Sequence, residues 1–88
     1  SEILKAPDSV TMPQTAGALL MTMFNAIDEI QTQDDLSKFM QFVNRVENEE
    51  YRDVFMSQVV ESTRTAKLAM QNAQITKWYQ NNFKIMSN

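Results

Sequence analysis

The chain has 88 residues, a net charge of −3, one Gly, two Pro and neither Cys nor His. That length allows one domain, and the missing residue types exclude disulfides, nucleophilic triads and thiol chemistry while depriving zinc, haem and iron–sulfur sites of their usual ligands. The scarcity of turn-forming Gly and Pro argues against a sheet protein and for an all-α one.

Residues 1–10 carry Pro7 and show no helical period, so they read as an arm that is mobile or lies over the surface. They lack the apolar core of a signal peptide, and no run of about 20 apolar residues follows, so no membrane span is expected and the cytoplasm is the favoured compartment.

The first helix is predicted over about 12–31. Thr11, Pro13 and Gln14 supply a weak capping signal. Ala16, Leu20, Met23, Ile27 and Ile30 recur at helical spacing, widened by Leu19 and Phe24. Gly17 inside this stripe costs about 1 kcal/mol relative to Ala. The second helix is predicted over 34–47, capped by Thr32 or Asp34, with Leu36, Phe39, Met40, Val43 and Val46 on its apolar face. Asp34 and Lys38 form an i,i+4 pair there. A third helix is predicted over 49–86, with no Pro or Gly to interrupt it; either Asn48 caps it, or the second helix runs straight through this stretch, where no Gly or Pro forces a turn.

This last segment holds an anomaly. Tyr51, Phe55, Val59, Ser62, Ala66, Ala69, Met70 and Ala73 share one face. Leu68, Ile75, Trp78, Tyr79, Phe83 and Met86 cluster nearly opposite. A continuous helix buries one stripe on its own bundle and leaves the other needing a second cover. A break near 71–74 lets both join one core. The expected architecture is therefore a three-helix bundle, a helical hairpin plus a long C-terminal helix, completed by a homodimer. Leu68, Ile75, Trp78, Tyr79, Phe83 and Met86 are the expected interface.

Charge is unevenly placed. Residues 28–61 hold nine acids against three bases, and 62–88 hold four bases and no acid. Glu47, Glu49, Glu50 and Asp53 form the densest acidic cluster. It reads as a charged rim or a site for a basic partner rather than as paired catalytic carboxylates, which need burial to raise a pKa. Arg64, Lys67, Lys77 and Lys84, interleaved with Trp78 and Tyr79, give a faint nucleic-acid footprint, but a sequence pI near 4.7 opposes it. Asn81 or Asn82 reads as polar helix surface, with register-fixing in a helical seam as the sharper alternative. The expected function is a non-catalytic interaction, assembly or regulatory module without a cofactor, acting through self-association and partner binding. A nucleic-acid-associated regulator is the alternative.

Overall fold

The computed structural model describes residues 1–61 and 66–83, with the backbone alone for 60–61 and 66–72. Four helices make up the described chain: α1 (Ala16–Glu29), α2 (Gln33–Arg45), α3 (Glu49–Glu61) and α4 (Ala66–Phe83). A 3₁₀ turn, Glu2–Leu4, precedes them. No strand occurs among the described residues, so the all-α class stands.

Short polar side chains set the helix starts. Thr15 Oγ1 accepts the Ala18 N–H at 3.2 Å, which starts α1 at Ala16 rather than near 12. Both threonines could cap; using Thr15 leaves Met12 and Pro13 outside the helix and makes Leu19 its first buried residue. Thr32 caps α2 in a full capping box: its Oγ1 accepts the Asp35 N–H at 3.0 Å, and Asp35 Oδ2 accepts from the Thr32 N–H at 3.3 Å. Two helix-end donors are satisfied reciprocally. The Lys38–Asp34 pair forms at 3.0 Å. At α3, Asn48 Oδ1 accepts the Tyr51 N–H at 3.1 Å.

The core gathers one face of every helix. Phe55 of α3 is its hub, 5.1 Å from Phe24 of α1 and 5.7 Å from Phe39 of α2 between ring centroids. Met23, Ile27, Ile30, Leu36, Phe42, Val43, Met56 and Val59 fill the space around it. Burying one such side chain fully stabilises the fold by roughly 1.5–3 kcal/mol. Leu19 and Tyr51 line a common cavity while Phe24 meets Phe55, so α1 and α3 run in the same direction. Tyr79 and Phe83 of α4 meet Asp53 and Arg52 of α3 in reverse order, so α4 runs back along α3.

The first ten residues are no arm. Ile3 is 1% exposed and Leu4 9%, and both belong to the core. Arg45 Nη1 donates to the carbonyls of Pro7 and Val10, each at 2.7 Å, tying the segment to the end of α2. Two adjacent aliphatic residues in a 3₁₀ turn carry no period, so a search for periodicity passes over them.

The last predicted helix is two helices. Asp53 and Tyr79 would stand about 39 Å apart on a continuous rod at 1.5 Å per residue; their side chains instead meet at 2.5 Å. Nor does the break fall at 71–74, which lies inside α4. Residues 62–65 between the two helices lie outside the described residues. Reversal, rather than a partner, brings the second apolar stripe onto the first. Ala73, expected on the close-packed face, is exposed.

The chain is as compact as a folded monomer of its size by two measures. Its radius of gyration is 11.9 Å, against ~12 Å for a compact chain of this length. Its accessible surface is 5271 Å², against ~5,300 Å² for a folded monomer of this mass.

Candidate interaction surfaces

The α3–α4 contact decides which predicted interface residues remain available. Ile75 and Tyr79 are 1% and 0% exposed, so both are used inside the chain's own core. They cannot also be surface contacts. Trp78 and Phe83 are half-buried. The Trp78 ring stands edge-on to Phe83, with centroids 5.6 Å apart and planes at 82°. The Leu68 side chain and Met86 lie outside the described residues.

Asp53 also leaves its predicted role. It accepts the Tyr79 hydroxyl at 2.5 Å, so it joins α3 to α4 instead of standing on an acidic rim. Burial, then the Asp53 carboxylate, pushes the Tyr79 hydroxyl well above the usual tyrosine range. Beside it lies Arg52, 8% exposed. Its Nη1 donates to the Val46 carbonyl at 2.5 Å, and its guanidinium lies 4.1 Å from the centroid of Phe83. Its Nε is buried without a partner. In the sequence Arg52 is simply one of the three bases among residues 28–61. The available signal was its spacing, three and seven residues before the core positions Phe55 and Val59.

Glu47, Glu49 and Glu50 remain exposed. Ion pairs among the described residues join Ser1 to Glu29 and Lys38 to Asp34, and involve none of these three. Of the four bases proposed for nucleic acid, Lys77 alone has a described side chain, and it is exposed. Arg64, Lys84 and the Lys67 side chain lie outside the described residues.

Among the described residues, two concave surfaces flank α2. Near its start, a shallow groove of ≈ 360 Å³ is lined by Gln33, Met40, Gln74, Lys77, Trp78, Asn81 and Asn82. Gln33 Nε2 reaches Gln74 Oε1 across it at 3.5 Å. Asn82 Nδ2 donates to the Trp78 carbonyl at 2.7 Å. Its amide thus serves its own helix, which favours the plain reading of an exposed polar residue over a register lock. Near the end of α2 lies a cavity of ≈ 540 Å³, lined by Met12, Pro13, Leu19, Arg45, Val46, Glu47, Asn48 and Tyr51.

Comparisons of the chain with protein-family models, curated proteins and solved structures return no match. Among the described residues no three His, Cys, Asp or Glu side chains converge as a metal site. No described helix is long and apolar enough to cross a membrane.

Proposed function

We propose that this chain is a small non-catalytic helical interaction module, used in assembly or regulation, that self-associates through the outer face of α4. The observation that carries this reading is Trp78. The chain's sole tryptophan is left half-buried at a groove that also holds Met40 and Lys77. Trp is among the residue types that dominate binding energy when an interface closes over them. The described residues leave only Met21 and Val54 as large, strongly exposed apolar side chains, one on α1 and one on α3, and single exposed residues are ordinary. Self-association in this reading joins protomers that are already folded. It is therefore reversible and concentration-dependent, not a condition of folding.

Amide and indole NMR shifts followed on dilution test this. Self-association through α4 shifts the Trp78 indole and the Lys77 and Asn81 amides together, and Trp78→Ala removes the shifts while helicity persists. Spectra independent of concentration, with a monomer mass by light scattering at the highest concentration, would refute it. High salt should leave the association nearly intact, whereas binding to nucleic acid, the alternative reading, would fall steeply with salt.

A further inference from the structure

Helix α1 is apolar on two sides. Leu19, Met23, Ala26 and Ile27 form its buried inner stripe. Gly17, Leu20, Met21 and Phe24 follow at i, i+3, i+4 and i+7, so they form a second stripe on another face. On that stripe Gly17 and Met21 are exposed, and Leu20 and Phe24 are half-buried. A helix apolar all round is ordinarily covered all round. Met21 by itself, at 67% exposure, is ordinary; its surroundings are not. Residues 9–27 hold no Asp, Glu, Lys or Arg. The exposed residues of α1 before Asp28 are therefore all uncharged, in contrast to Asp34 on α2 and Glu49 and Glu50 on α3. The stripe also has relief. A Cβ added to Gly17 would meet nothing within 4 Å, so the helix carries an open notch one turn before the protruding Met21.

From this uncharged stripe, with its notch beside a knob, we infer that α1 docks on α1 of a second copy of this chain: the two helices pack antiparallel about a twofold axis, and Met21 of each protomer fills the space over Gly17 of the other. A twofold interface requires that if position 21 meets position 17, then 17 meets 21. Antiparallel helices satisfy that condition. Parallel ones would set Met21 against Met21 and leave the two notches facing each other. Charge selects the occupant. The chain carries −3, and like-charged copies repel; along this face that repulsion is absent. A charged partner would have to bury its charges unpaired against apolar surface. Met suits the contact, because its flexible side chain adapts to an irregular gap. With α1 about 21 Å long at 1.5 Å per residue, one helix pair lies at the small end of interface sizes, so the association is weak and reversible. None of the four stripe residues lines the Trp78 groove, so this contact and the α4 contact stand or fail separately.

The test is intermolecular paramagnetic broadening on the full chain. Asn25→Cys, at an exposed position of a chain without cysteine, carries a spin label and is mixed with ¹⁵N-labelled wild type. Seating Met21 over the partner's Gly17 places residue 25 beside residue 13 of the partner, so the Thr15 and Gly17 amides should broaden more than the Asn25 amide. Met21→Lys, which puts a charge on the stripe, and Gly17→Leu, which fills the notch, should each weaken the association at least about tenfold. Both positions are exposed, and circular dichroism should show helicity unchanged in both variants. Trp78→Ala should leave the α1 broadening as it is. Broadening centred on Asn25 would mean a parallel pair and would overturn the inference. So would broadening confined to α4, no broadening at the highest attainable concentration, or α1 broadening that persists at full strength in Met21→Lys.

Discussion

Ile75→Ala separates a self-contained fold from a stripe awaiting a partner. Ile75 lies on α4 with 1% of its surface exposed, within the same core cluster as Phe55 and Val59. Truncating a buried Ile to Ala costs about 2–5 kcal/mol, because the transfer term and the cavity left behind add. A chain of this size has a total stability of only about 4–13 kcal/mol. A loss of about 3 kcal/mol therefore lowers Tm by roughly 12–24 °C, at about 4–8 °C per kcal/mol for a domain of this length. The assay is thermal unfolding by circular dichroism, at two protein concentrations about a hundredfold apart. The shift should be equal at both, since mass action enters Tm only where association contributes to the folded state. A change within about 0.5 kcal/mol, the usual size of a surface substitution, would refute the burial of Ile75. A shift that grows on dilution would show that a partner chain covers it.

Further outcomes follow from other contacts. Tyr79→Phe removes the hydroxyl bond to Asp53 and should cost about 1–2 kcal/mol near neutral pH. The wild type should also lose stability as pH rises past about 10, because the unfolded tyrosine ionises before the buried one does. Denaturant melts at several alkaline pH values should show that slope in the wild type and a smaller one in Tyr79→Phe. Asp35→Asn should destabilise at neutral pH. The N–H groups of Gln31 and Thr32, then the Thr32 hydroxyl and Lys38, hold the Asp35 carboxyl below the ordinary aspartate range. That contribution is present above the unfolded pKa and is lost as pH falls through the folded one, so the two melting curves should converge below about pH 4. Gly17→Ala should raise stability by about 1 kcal/mol, since an added Cβ there meets nothing within 4 Å. A lower Tm for that variant would show that the start of α1 is misplaced.

The regular part of this fold was legible. Helix periodicity identified Met23, Ile27, Leu36, Phe39 and Phe55 as inward, and the structure chooses Thr32 over Asp34 as the cap of α2 and Asn48 as a cap over an uninterrupted helix. What escaped was set by tertiary contact. Ile3 and Leu4 have no period to reveal them. Arg52 is a charge whose desolvation is offset by a carbonyl and an aromatic ring contributed by distant residues. The two stripes of the C-terminal half would be out of phase on one continuous helix. Phase alone does not choose between a reversal and a partner, because the sequence from 49 to 86 holds neither Gly nor Pro. The choice is visible only in the side chains that meet, Asp53 with Tyr79 and Arg52 with Phe83. For the candidate surfaces, the acidic segment was legible in composition. The cavity beside it was not, because its walls come from three separate stretches of chain.

The reversal between α3 and α4 is open to one direct distance measurement. The chain has no cysteine, so Glu50→Cys with Asn82→Cys accepts a spin-label pair at two exposed positions, with an excess of unlabelled protein suppressing distances between chains. Because Arg52 touches the Phe83 ring across the two helices, folding back requires positions 50 and 82 to lie within roughly 25 Å of each other, before allowance for the label arms. A peak near 48 Å, the length of about 32 residues of uninterrupted helix, would contradict it.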